Sequence, residues 1–210
     1  MKQEINPHET PRAHAYELWI HSPMPMVTLT KTFNVTPMVR LSKCRPMRFN
    51  MLLAWCVGRA ASRMEEMYFV VEKERMYQYD KLAINVIVPN SNGGINSCDI
   101  PFSESLHCFA DDYELLTRSA AERCESSFLD DAMVVGTSAM VQTELDSIVN
   151  QYTDLFSNPM VMWGRYRKHG WHYSLPVSFQ FHHVLMDGMH AACFLENLQQ
   201  EIKNLKFKNR

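Results

Sequence analysis

Between residues 173 and 181 apolar and polar side chains alternate. Tyr173, Leu175, Val177, Phe179 and Phe181 fall on one face and Ser174, Ser178 and Gln180 on the other, the period of a half-buried β-strand. His183 stays in register with the apolar set. After it the period changes: Ala191, Leu195, Leu198, Ile202 and Leu205 recur at helical spacing, which predicts a helix over 187–204. Leu52, Leu53, Cys56, Val57 and Ala60 predict another over 50–66. A third is expected over 111–124, with Tyr113, Leu115, Leu116 and Ala120 inward. Runs rich in β-branched and aromatic residues predict strands over 26–36, 68–71, 76–79 and 83–88, and one opening at 132 that runs toward Ser138. Residues 68–79 read as a hairpin, 89–94 as a turn, and 12–20 as a short helix or helical turn with Pro11 near its first position.

Strands and helices are intermixed without strict βαβ alternation. The expected architecture is an α+β two-layer sandwich: a mixed, largely antiparallel sheet with helices packed on one face. The 210 residues show neither an internal repeat nor a Gly/Ser-rich linker, so a single domain over 1–210 is expected. A hydrophobic fraction of 46% and a charged fraction of 21% fit an ordinary globular protein. The net charge of −2 argues against nucleic acid as a partner. No apolar run is long enough for a bilayer, and no apolar leader precedes the domain. The six cysteines are scattered without a C-x-x-C pair and read as reduced thiols. A cytoplasmic location, with no membrane partner, follows as an expectation.

The candidate chemistry lies at 182–188, His-His-Val-Leu-Met-Asp-Gly, where the strand gives way to the helix. An imidazole at the end of a rigid element is suited to take and return a proton near neutral pH. Packing alone also accounts for a histidine on an apolar strand face, and Asp187 before a helix is ordinary capping chemistry. His183, Asp187 and His190 at i, i+4 and i+7 would form a metal-binding face on a continuous helix. The alternation reaching His183 disfavours that reading, and no metal is expected.

The stretch from Phe179 to His190 resembles the signature of the chloramphenicol acetyltransferase family, the trimeric, CoA-dependent type. Further similarities lie at 11–16 (Pro-Arg-Ala-His-Ala-Tyr), Arg48-Phe49, 137–140 (Thr-Ser-Ala-Met) and Arg165-Tyr166. The His-x-x-x-Asp-Gly core alone is shared with dihydrolipoamide acyltransferases and condensation domains; the other segments favour the acetyltransferase branch. The resemblance implies a CoA-dependent acyltransferase-like fold and an O-acetyltransferase moving an acetyl group from acetyl-CoA to a small hydroxylated acceptor. His183 would be the general base and Ser138 the donor to the oxyanion. Asp187 would pair with Arg12 beneath the histidine, a buried pair costing on the order of 3–5 kcal/mol to break. Arg48, Arg165 and Tyr166 would contact coenzyme A. The resemblance further implies a homotrimer with active sites between subunits.

The chain departs from the family pattern around the expected acceptor pocket. Trp19 stands where a tyrosine is expected, Pro25 and Val27 where the family offers cysteine and phenylalanine, and Met162 where a threonine usually lies. Val141-Gln142 follows the serine segment in place of Pro-Trp. Trp19, Val27 and Met162 are thus the candidate acceptor-binding residues, and their identities weaken chloramphenicol as the acceptor more than acetyl transfer itself. The rival expectation is a catalytically idle trimer on the same fold that binds a small apolar ligand.

Overall fold

A computed structural model of the chain describes residues 1–153 and 155–205. The main sheet runs β2(Met26–Asn34), β10(His172–His182), β8(Met160–Gly164), β7(Met133–Met140), β5(Leu82–Pro89), β6(Ile95–Pro101), with β9(Arg167–His169) beside β10. β10 pairs antiparallel with β2, β8 and β9, and β5 with β6; β7 is parallel to both β5 and β8. A second, antiparallel sheet comprises β1(Lys2–Ile5), β4(Arg75–Tyr79) and β3(Phe69–Glu72). The helices are α1(Ala13–Trp19), α2(Thr36–Cys44), α3(Phe49–Ala61), α4(Leu106–Arg123) and α5(Gly188–Asn204). This is the mixed, largely antiparallel α+β sandwich expected from the pattern. None of the described helices is long and apolar enough to cross a membrane.

The alternation in β10 sets the layers. Leu175, Val177, Phe179 and Phe181 are buried in one cluster with Phe194 and Leu198 of α5, Leu52, Leu53 and Cys56 of α3, and Phe109 of α4. Phe179 meets Phe194 at 4.3 Å between ring centroids. The opposite face carries Ser178 and Gln180, which are covered by the chain around Ile148 and Asn150: the Ile148 amide donates to Ser178 Oγ, and Gln180 Nε2 to the Asn150 carbonyl. Both faces of the strand are closed, but only one is apolar.

Several expectations need correction. The strand predicted over 26–36 ends at Asn34. Thr36 opens α2, which the sequence reading did not anticipate; Pro37 in its first turn and the Asn34 side chain accepting from the Thr36 amide mark the switch. The helix predicted over 50–66 stops at Ala61, and a 3₁₀ turn, Glu65–Tyr68, follows. α4 begins at Leu106, earlier than predicted, capped by Ser105 Oγ. Its inward stripe is Phe109, Tyr113, Thr117 and Ala120, and Leu115 is 65% exposed rather than inward. Pro11 lies just before the α1 N-cap, Arg12, as expected. β8 was missed because its Met-Val-Met-Trp run sits centrally and is apolar on both faces, so it has no alternation to read.

The hairpin between β3 and β4 forms as expected, with Lys73 and Glu74 both at positive φ (48° and 67°), the turn whose twist matches the flanking strands. Phe179→Ala is expected to destabilise the fold by about 3–5 kcal/mol, read as a lowered midpoint in denaturant titration with the m-value unchanged.

Candidate active site

β10 ends at His182 and α5 begins at Gly188; between them a tight turn carries the candidate chemistry. Leu185 and Met186 amides both donate to the His182 carbonyl, and the His183 amide donates to the Pro25 carbonyl at 2.7 Å. Asp187 is the α5 N-cap: its Oδ1 accepts from the Met189 and His190 amides at 2.9 and 3.2 Å. The same carboxylate pairs with Arg12 through Oδ2, at 3.0 Å from Nη1. The two readings of Asp187, cap or ion pair, therefore hold together, one per oxygen.

Arg12 reaches this turn from the start of α1. Its Nη2 donates to the His183 carbonyl and its Nε to the Val184 carbonyl, both at 2.9 Å. The guanidinium is buried, with its side chain only 9% exposed, while Asp187 remains 38% exposed. This corrects the expectation of a fully buried pair: the buried partner is the arginine, whose planar fork satisfies two carbonyls and a carboxylate at once. Partial burial works to raise the Asp187 pKa. The His190 amide, Arg12 and the His190 ring outweigh it and hold the carboxyl down to about 2, below the usual 3.8.

The His183 ring lies flat against Trp19, with centroids 4.8 Å apart and planes 17° from parallel. Its Nδ1 is enclosed without a hydrogen-bond partner. Nε2, also unpaired among the described residues, is not enclosed. His182 differs: burial, and secondarily the adjacent His183, pushes it down to about 4, and its Nδ1 accepts from the Val184 amide. It is a neutral, structural imidazole. His183 opens the turn while His190 lies on α5, so the helical metal face considered from spacing alone does not form.

Ser138 lies elsewhere. On β7 it faces Met162 of β8, which faces Ser178 of β10. Ser178 is five residues from His183 along β10 and two strands from Ser138. That is about 16 Å along the strands and about 10 Å across them. One chain therefore does not bring Ser138 to His183. Met162 is buried in the Ser138 row. Val27 lies opposite Phe181 and packs against the core, so only Trp19 of the three candidate acceptor residues touches His183.

Arg48, Arg165 and Tyr166, separated by more than a hundred positions, line one cleft of about 620 Å³ with Tyr113, Val141 and Gly164. Tyr166 packs tilted on Phe49 and edge-on to Tyr173, and Arg48 pairs with Glu114 at 3.1 Å. Gly164 pairs with Met140, the last residue of β7, so the cleft opens beside the end of the strand that carries Ser138.

Two residues that bear on the site were missed as partners: His190 and Glu66. The Asp187-x-x-His190 spacing is that of a capping box, and this signal was present in the sequence. The Glu66 contact is long-range and left no local trace.

Residues 4–199 match the profile of the chloramphenicol acetyltransferase family. The chain belongs to that family. It is 22% identical to chloramphenicol acetyltransferase 3 of Escherichia coli over 205 residues, 94% of each protein. Among solved structures, a chloramphenicol acetyltransferase superposes with a TM-score of 0.83 at 18% identity, covering 96% of this chain and all of that one. A probable dihydrolipoamide acetyltransferase from Listeria monocytogenes superposes at 0.72 and 11% identity, covering 98% and 95%. These likenesses establish the fold, and membership of the family supports an acetyl-CoA-dependent acetyltransferase.

Arg12→Ala leaves two carbonyls without their donor and is expected to cost about 1.5–3 kcal/mol, measured by denaturant titration at neutral pH. The depressed Asp187 pKa stabilises the fold above about pH 4, and this contribution is lost as pH falls through about 2. The stability difference between the wild type and Asp187→Asn is therefore expected to close across that window. A gap that stays constant from pH 5 to pH 2 would contradict the assignment.

Proposed function

We propose that the protein is a CoA-dependent O-acetyltransferase with His183 as general base, acting in a homotrimer whose sites are shared between subunits. The observation that carries this reading is the separation of two complementary half-sites on one chain. One corner holds a base with Nε2 unpaired and its main chain clamped by Arg12. The other holds a cleft lined by Arg48, Arg165 and Tyr166, beside Ser138. Neither corner is sufficient alone, and a second copy of the chain supplies the missing half.

The enclosed Nδ1 would carry the proton of the neutral tautomer, leaving Nε2 to accept. As the acceptor alcohol gives its proton to Nε2, its oxygen attacks the acetyl carbonyl. The carbonyl π-bond opens, and the resulting oxyanion receives a hydrogen bond from the Ser138 hydroxyl of the neighbouring copy. Collapse of the tetrahedral intermediate breaks the carbon–sulfur bond, and the departing thiolate takes the proton back from His183. Arg48 and Arg165 offer positive charge for the phosphates of coenzyme A, and Tyr166 offers a ring face for its base. The acceptor surface beside the base is the flat, exposed ring of Trp19, which favours a hydroxylated ligand with an apolar body.

A thiol-release assay with acetyl-CoA and a panel of alcohols, chloramphenicol first, tests the reaction. His183→Ala is expected to lower kcat by about 10²–10⁴, and Ser138→Ala by about 10²–10³. Light scattering should report three chains per particle. Subunits carrying His183→Ala, randomly reassembled with subunits carrying Ser138→Ala, should regain about a quarter of the wild-type rate, because a shared site needs one intact residue from each. A fully active His183→Ala variant would remove the base assignment. A monomer, or no regain on mixing, would remove the shared site.

A further inference from the structure

Glu66 and His190 take no part in the reaction above, yet they continue the bonded chain that begins at Arg12. His190 Nδ1 lies 2.8 Å from Asp187 Oδ1, and its Nε2 lies 3.1 Å from Glu66 Oε1. Glu66 sits in the 3₁₀ turn Glu65–Tyr68, remote in sequence from α5, and both side chains are more than two-thirds buried. The order in space is carboxylate, imidazole, carboxylate, guanidinium, and it ends on the His183 and Val184 carbonyls.

We infer that Glu66 and His190 are positioning residues for His183, acting through Asp187 and Arg12. This rests on the reading of His183 as the base. The physical reason lies in what Asp187 must do. Its Oδ1 already accepts from two amides, which set its distance from the helix but leave it free to rotate about the side-chain torsions. The His190 ring lies against both the Asp187 amide, which reaches Nδ1 at 3.4 Å, and Oδ1, 2.8 Å from Nδ1, and this double contact fixes the plane of the carboxylate. Oδ2 then meets the Arg12 fork in one orientation, and the fork meets the carbonyl of the base itself. Glu66 supplies what holds the ring. Glu66 Oε1 holds the far nitrogen of the ring, and a ring without Glu66 is free to turn away from Asp187. Neither residue lines the cleft of Arg48, Arg165 and Tyr166, so their influence on the reaction passes through geometry at His183 and not through binding of coenzyme A.

The test compares the intact chain with Glu66→Ala and His190→Ala, and uses Glu66→Gln, whose amide oxygen can still accept from Nε2, as the conservative variant. Two readouts are needed. The first is the split between kcat and KM on an alcohol that the wild type acetylates. Each alanine variant is expected to lose about 10-fold in kcat, in line with a small misplacement of a base, while KM for acetyl-CoA stays within about twofold, and Glu66→Gln recovers most of the loss. The second is hydrogen exchange at Arg12 Nε–H, followed by NMR. This proton is protected by its bond to the Val184 carbonyl, and its exchange should quicken in both alanine variants.

Unchanged exchange together with unchanged kcat would overturn the inference. A fall in kcat that is matched by a rise in KM, or that Glu66→Gln fails to recover, would also overturn it, because either pattern marks general damage. Faster exchange in a protein whose wild type acetylates no alcohol would uphold the bonded relay and count against the acetyl-transfer reading.

Discussion

The guanidinium of Arg12 is the contact on which the site depends. It is buried, it comes from the first helix, and it donates to three acceptors within five residues of one turn. Each bond is charge-assisted. Together they hold the end of the central strand, the start of the last helix and the N-terminal segment in one arrangement. Trp19, on the same helix, is thereby laid against the His183 ring. The placement of Trp19 and the course of the main chain at His183 are thus set by one side chain, although the two elements are far apart in sequence.

The sheet explains why one chain keeps His183 and Ser138 apart. Strands in a sheet offer rigid placement, and the register is fixed by which face is apolar. His183 lies just beyond the end of β10, whereas Ser138 is level with Ser178, five residues back along that strand, and two strands away. No rotamer closes such a gap. The rigidity that holds each group in position also prevents them from meeting within a subunit, so a site that uses both must draw them from two copies. The polar face of β10, with Ser178 bonded to Thr30 and Gln180 to Thr28, is a rigid underside well suited to carry such geometry without adapting to it.

Much of this was legible in the sequence where periodicity was strong. The β10 alternation, the α5 stripe and the β3–β4 hairpin were all readable because one face of each is apolar. β8 was not, because a strand buried on both sides shows no period, and α2 was hidden by its direct continuation from β2. In the site, the His183 and Asp187 positions followed from a strand-to-helix switch that any reader of spacing would find. Burial of Arg12 did not: nothing local distinguishes it from a solvated arginine, and its placement among the site residues came from family resemblance. Ser138 was likewise inaccessible from pattern alone. Glu66 was missed outright, since a contact between a 3₁₀ turn and a distant helix terminus leaves no mark on either segment.

The three acceptors of Arg12 lie 171, 172 and 175 positions away from it. During synthesis the arginine emerges more than 170 residues before its acceptors. Contacts of such long separation form only after the intervening chain has been ordered. The α1 helix must therefore wait, its charge solvated, while the sheet is laid down, and the locking of the turn between β10 and α5 belongs to a late stage of folding. A nascent chain stalled before residue 183 would lack all three acceptors and with them the arrangement they hold.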